Sequence, residues 1–356
     1  MNSVIPRGPE LSADSLWATL PTYLRQAFTP IREWLQSAEV VEIMCNRPGE
    51  VWVESIKWPQ MRRFDVPALS VQAIEHMAHQ VASHTKQSVN ATTPLLSAAM
   101  PHGERFQGVL APAAAMGGAF SIRKQVISNF SLDDYVRVGA FDDVRIMGPR
   151  QIDEEDVSDL DIEMNDLLQD RSALGIKRFL EFSVSNQVTK IISGGTSSGK
   201  TTFLNALMKE VPETERLILI EDTSELKPLQ PNVMSLLASK GDQGQSNATI
   251  QSLLEAALRL RPDRIFLGEI RGAEAYSFLQ AVNTGHPGSM STLHANNPRE
   301  AFERLAMATL QAGLGLTKAE IIDYVRLVVP VIVQVRRMPT RGVAAIYFNR
   351  YRGKKA

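Results

Sequence analysis

Gly194-Gly195-Thr196-Ser197-Ser198-Gly199-Lys200-Thr201, followed by Thr202, is the stretch on which the fold of this chain turns. It fits G-x-x-x-x-G-K-[ST]. A tight loop of this kind points successive backbone N–H groups inward and forms a nest for phosphate oxygens. Glycine serves where φ is positive or where a ligand lies against the backbone. Lys200 supplies a cation for β- and γ-phosphates, and the Thr201 hydroxyl can ligate Mg²⁺. At ordinary residue frequencies a chance match arises in roughly one chain in a hundred of this length. Here the context agrees: the apolar run Val188–Ser193 precedes the loop, and a helical pattern with Phe203, Leu204, Leu207 and Met208 on one side follows it. Bound ATP with Mg²⁺ is the expectation.

Downstream, short apolar strands alternate with helices. Leu217–Glu221, Arg264–Gly268 and Ser289–His294 read as strands; Ile250–Leu260, Ala273–Asn283 and Arg299–Leu310 read as helices. This alternation predicts an α/β domain with a mostly parallel sheet covered by helices. Parallel strands end at one sheet edge, and three chemical segments sit at such ends. Arg264–Gly268 runs into Glu269, which can hold Mg²⁺ or polarise the attacking water. The usual preceding Asp is replaced by Gly268. Leu217–Ile220 runs into Glu221, Asp222 and Glu225, one of which can act as general base. Glu221 and Glu225 are both candidates. His294 lies near the end of Ser289–His294, within reach of a phosphate.

Upstream, Leu16–Leu35 reads as helix broken by Pro21 and Pro30. Val40–Met44 and Glu50–Glu54 read as strands joined through Asn46, Pro48 and Gly49. Ser70 caps a helix with Val71, Ile74, Met77, Ala78 and Val81 on one face. Gly103–Ala111 and Ala119–Lys124 read as further strands. Residues 1–145 therefore form a smaller α+β N-terminal domain, and 174–356 form the domain carrying the loop. Residues 146–173 lie between them. From Gln151 to Asp170 there are nine Asp or Glu and no Lys or Arg, which predicts a solvated acidic linker with some helix.

The chain has 356 residues and a formal net charge of −1. No global basic field points to direct nucleic-acid binding. Cys45 is the single cysteine, so an intramolecular disulfide is excluded, which suits a reducing cytoplasm. No stretch reaches the about 18 apolar residues of a membrane helix. Met1–Glu10 lacks an apolar signal core, so export is not expected.

Taken together, the segments resemble the secretion ATPase superfamily, which includes the traffic ATPases of type IV secretion and conjugation, type II secretion ATPases and type IV pilus motors. The resemblance rests on the 194–202 loop, the Ile220–Glu225 acidic box, Leu258-Arg259-Leu260-Arg261-Pro262-Asp263 leading into Glu269-Ile270-Arg271-Gly272, and Gly285–His294. A looser match runs through Glu42–Gly49, Gly103-Glu104-Arg105 and Ser121–Lys124. The conjugation-type traffic ATPases are the nearest branch in appearance. The metal element of four cysteines common in pilus and type II assembly motors has no counterpart here, and the acidic box lacks their proline. Pilus retraction motors, type II secretion motors and RecA-like DNA translocases are the alternatives.

This resemblance implies a RecA-like ATPase domain, a homo-hexamer, and ATP bound between the N-terminal and RecA-like domains. It implies partners among inner-membrane components of a secretion machine, including its coupling and assembly ATPases. It further implies a peripheral position at the cytoplasmic face of the bacterial inner membrane. Arg105 and Arg123 match arginines that reach phosphate from the N-terminal side, and Arg271 is a further candidate. One departure is Ser197-Ser198, where the family loop often has another glycine.

Overall fold

The computed structural model describes residues 17–124, 130–149, 157–238, 248–313, 315–337 and 341–353. These form two compact units, one within 17–124 and the other from 130 onward.

In the first unit, Pro21 stands immediately before helix α1 (Thr22–Phe28), and Pro30 lies in a single 3-10 turn, Thr29–Ile31, ahead of α2 (Arg32–Gln36). Both prolines sit where a missing N–H costs little. Six strands follow: β1 (Val40–Cys45), β2 (Glu50–Ser55), β3 (Arg62–Asp65), β4 (Leu95–Ala99), β5 (Arg105–Leu110) and β6 (Gly118–Arg123). Their order is β3-β2-β1-β6-β5-β4, antiparallel throughout. Gly49, at φ 88°, makes the β1–β2 turn. Helix α3 (Val71–His84) starts where Ser70 Oγ accepts the Ala73 N–H. It lays Ile74, Met77, Ala78 and Val81 into the core with Phe28, Ile43 and Phe106. The edge strands β3 and β4 escaped the sequence reading: Arg62-Arg63-Phe64-Asp65 carries almost no apolar alternation, because an edge strand faces solvent.

The second unit contains α4 (Leu132–Arg137), β7 (Arg145–Met147), α5 (Asp159–Gln169), α6 (Ala173–Ser185), β8 (Lys190–Ser193), α7 (Lys200–Met208), β9 (Leu217–Glu221), β10 (Val233–Leu237) and α8 (Ile250–Ala257). It continues with β11 (Arg264–Ile270), α9 (Glu274–Asn283), β12 (Met290–Leu293), α10 (Pro298–Leu310), α11 (Lys318–Val328), β13 (Val331–Arg336) and β14 (Gly342–Phe348). The sheet order is β10-β9-β11-β12-β8-β13-β14-β7. From β10 to β13 every pairing is parallel; β14 returns antiparallel to β13, and β7 joins β14 in parallel.

The strands read as unbroken apolar runs because both faces are covered. Leu217, Leu219, Phe266 and Ile192 point into one core, with Leu132, Leu168, Phe179 and Phe203 from α4 to α7. Ile218, Ile220, Ile265 and Ile191 point into the other, with Leu254, Phe278, Phe302 and Val325 from α8 to α11. Each such side chain stabilises the fold by about 1.5–3 kcal/mol.

Two boundaries differ from the sequence reading. Residues 130–145, expected in the first domain, belong to the second unit, as do the two linker residues that follow: β7 pairs with β14, and Phe141 packs against Phe203. The described part of the acidic stretch, from residue 157, is not a solvated linker. Helix α5 is capped by Ser158 and Asp161, its early carboxylates suit the positive helix N-terminus, and Met164 and Leu168 are fully buried. Asn165 locks it to the chain end by donating to the Arg350 carbonyl at 2.6 Å and accepting from the Arg352 N–H at 2.9 Å. Residues 150–156 lie outside the described ones.

Candidate active site

Strand β8 ends at Ser193, and the glycine loop leads into α7 at Lys200. β8 lies between β12 and β13, so the loop opens at the edge where β9, β11 and β12 also end. Gly194 has no room for a side chain: a Cβ there would stand 2.4 Å from Ser198 Oγ and 2.9 Å from the Val335 carbonyl. Gly199 caps α7 at φ 91°, a left-handed angle that L side chains resist. Ser197 adopts φ 56° in spite of its Cβ, at a cost of about 1–2 kcal/mol. Ser198 Oγ donates to the Gly195 carbonyl at 2.8 Å and closes the loop. Thr201 and Thr202 fall in the first turn of α7, where unpaired amides and the helix dipole favour an anion.

Lys200 is only 8% exposed. Its Nζ donates to the carbonyls of Gly194 at 3.1 Å and Gly195 at 3.2 Å, and lies 3.3 Å from His294 Nε2. His294 Nε2 is 2.9 Å from Glu269 Oε1. Glu269 Oε2 accepts from Arg271 Nε at 2.7 Å, and Arg271 Nη1 donates to Asp222 Oδ2 at 3.1 Å. One chain of charges thus joins the loop, the β11 end, the β12 end and the acidic box. Burial, and then the Lys200 charge, holds His294 below the usual imidazole value, against the pull of Glu269. A neutral ring can face Glu269 with Nε2–H and accept from the Lys200 ammonium at Nδ1, 3.5 Å away.

A β-bulge sets the aim of Glu269. Leu267 pairs with Ser291 and Ile270 with Leu293, so Gly268 and Glu269 together face Thr292 alone. Such a bulge bends the strand and redirects a side chain. Thr292 Oγ1 secures it by donating to the Gly268 carbonyl at 2.7 Å.

Glu221 is buried at the end of β9. Its Oε1 accepts from the N–H groups of Glu225 at 2.7 Å and Leu226 at 2.9 Å. Its Oε2 is buried with no hydrogen-bond partner among the described residues. Burial pushes the carboxyl up to about 7, against the two amides that favour its charge. The folded chain therefore keeps a proton here that an ordinary carboxyl, at 4.5, has released. Stability falls as pH rises through that window, because the unfolded state holds fewer protons. Glu221→Gln lacks this slope. Its unfolding free energy relative to wild type is expected to rise by about 2 kcal/mol from pH 5 to pH 8. Urea titrations at both pH values check this, and an equal difference at the two would overturn it.

Two polar residues at the site were missed in sequence. Asn205 of α7 is 7% exposed and joins the acidic box: Nδ2 donates to the Glu225 carbonyl at 3.0 Å, and Oδ1 accepts the Lys227 N–H at 2.8 Å. Gln334 of β13 accepts from Ser193 Oγ and donates to the Ala295 carbonyl at 3.1 Å, tying the start of the loop to the segment after His294. The signal for both was a polar residue within an apolar run. His286, the other histidine of its box, lies 3.0 Å from the Ala281 carbonyl at the end of α9 and is not part of the charge chain. Arg105 and Arg123 belong to the first unit, where they stand directly opposite each other on β5 and β6.

A strand–glycine loop–helix with a buried lysine, beside strand-end carboxylates on a parallel sheet, defines the P-loop class of folds. Within that class, the chain belongs to the family described as Type II/IV secretion system protein, which matches residues 25–337. The type IV secretion system protein VirB11 of Bartonella henselae is 34% identical over 330 residues, covering 91% of this chain and 92% of that one. VirB11 of Brucella suis is 36% identical over 313 residues, 86% and 83% of the two chains. The crystal structure of the Brucella suis VirB11 ATPase, in complex with sulphate, shares 32% identity, covers 92% of this chain and 98% of its own, and gives a TM-score of 0.50. The Legionella pneumophila ATPase DotB, at 16% identity, covers 91% of this chain and 80% of its own with a TM-score of 0.53, and shows the shared fold alone.

Proposed function

We propose that this chain hydrolyses Mg²⁺-ATP as a homo-hexameric motor, driving substrate translocation, pilus biogenesis or both in a type IV secretion (conjugation) machine. The observation that carries the reading is the chain from Lys200 through His294 and Glu269 to Asp222 at the mouth of the glycine loop. Relatives named as type IV secretion components support the setting. Among the described residues no helix is long and apolar enough to cross a membrane; a peripheral place at the cytoplasmic face of the inner membrane, beside other secretion components, completes the proposal.

In this mechanism the amides of residues 194–201 take the phosphate oxygens, and Lys200 neutralises charge between the β- and γ-groups. The residues fit a magnesium ion: Thr201 with Glu269 offers the oxygen donors a hard cation takes. When bound, that ion would neutralise charge building on the phosphate oxygens. Glu221 and Glu225 are the carboxylates assigned to orient and deprotonate water, and Glu269 supports it. Arg105 and Arg123 are assigned to the charge spread over the γ-phosphoryl group, with Arg271 as a further candidate. His294 reads the γ-phosphate through Lys200 and Glu269. Loss of the γ-phosphate contacts on hydrolysis then gives the motor its stroke.

Steady-state hydrolysis with and without Mg²⁺, joined to mass determination in solution, tests the proposal. Expected are Mg²⁺-dependent turnover and a six-protomer particle with Mg²⁺-ATP. Tight ATP binding without turnover would sink the motor reading. Strong stimulation by DNA with a steep salt dependence would favour a DNA translocase instead.

A further inference from the structure

The acidic box is held by its main chain, and the grip comes from the helix that begins at the phosphate loop. Four backbone groups across residues 225–227 are taken by two side chains. Glu221 accepts the N–H groups of Glu225 and Leu226. Asn205 donates to the carbonyl of Glu225 and accepts the N–H of Lys227. Asn205 stands five residues after Lys200 on α7, about 7.5 Å along the same rigid helix. A shift of the loop and its helix is therefore carried into the box. The box is pinned elsewhere as well. Leu226 is buried, and Gln230 Nε2 donates to the carbonyls of Met208, the last residue of the helix, and of Val211 just beyond it, both at 2.8 Å. Without Asn205 the segment keeps its overall path but loses local aim at Glu225.

We propose that Asn205 is a positioning residue: it fixes the main chain of the acidic box to the phosphate-loop helix and so sets where Glu225 stands during hydrolysis. This rests on the ATPase reading above. Both of these side-chain bonds of Asn205 go to the acidic box and neither to the phosphate loop, so its loss acts on turnover rather than on nucleotide binding. A misplacement of about 1 Å in a reacting geometry can cost on the order of 100-fold in rate.

The test uses the full chain with Asn205→Ala and Asn205→Asp, the latter keeping an acceptor for the Lys227 N–H. Measured are kcat, KM, affinity for a non-hydrolysable ATP analogue, and amide hydrogen exchange at residues 225–227. Asn205→Ala is expected to lower kcat by about 10- to 100-fold, with KM and analogue affinity within about threefold and with faster exchange at Lys227. Asn205→Asp is expected to recover part of the rate. A kcat within twofold of wild type, or rate and analogue affinity falling together in both variants, would overturn the proposal. If Asn205→Ala fails to fold, the Asp variant decides by the same split. If wild type itself does not turn over ATP, the ATPase reading fails, and unchanged exchange at Lys227 would then refute the positioning role separately.

Discussion

Alanine at position 200 is expected to abolish ATP turnover, by at least about 10³-fold, while the chain stays folded. The ammonium of Lys200 is buried and already oriented, donating to two carbonyls of its own loop. A charge held this way needs little reorganisation when phosphate charge develops beside it. Alanine removes that charge and strands the carbonyls of Gly194 and Gly195, a loss of about 1–3 kcal/mol. Strands β8, β9, β11 and β12, buried on both faces, keep their packing, so only a modest fall in melting temperature is expected. Hydrolysis rates and thermal melts on the same preparation check both halves. Near-normal turnover by Lys200→Ala would refute the site.

The second large effect is at Glu269. Glu269→Gln is expected to bind ATP with KM within a few-fold of wild type and to lower kcat by about 10²–10³-fold. Glutamine keeps the shape and can still accept the hydrogen bond from Arg271 Nε that Glu269 now takes at 2.7 Å. What disappears is the negative charge facing His294 at 2.9 Å. The carboxylate raises the His294 value, while burial and Lys200 lower it. Glutamine should therefore move that histidine further down, which an NMR titration of the imidazole reads directly. An unchanged kcat would remove Glu269 from the chemistry.

The sequence was most legible where chemistry demands a local pattern. Gly194 and Gly199 are readable because a tight strand-to-helix loop needs positions without a Cβ, and the structure gives Gly199 its left-handed φ. The apolar runs of β8, β9, β11 and β12 were readable because strands buried on both faces have no polar option. It was least legible where a few apolar residues are outvoted by charge. Met164 and Leu168 anchor α5 inside the acidic stretch, and two residues four apart leave a weak signal among so many carboxylates. Asn205 and Gln334 were missed for a related reason: each is one polar residue in an apolar run, and its partners lie on other elements.

The amino-acid order by itself determined the glycine loop, the run of parallel strands that follows it and the acids at their ends, because backbone angle, burial and spacing are local constraints. Tertiary structure decided which of those groups meet. Lys200 and His294 are 94 residues apart, and they meet because β8 lies beside β12; Asp222 and Arg271 meet because β9 lies beside β11. Strand order and one bulge at Gly268 and Glu269 are products of long-range packing, which no window of sequence specifies.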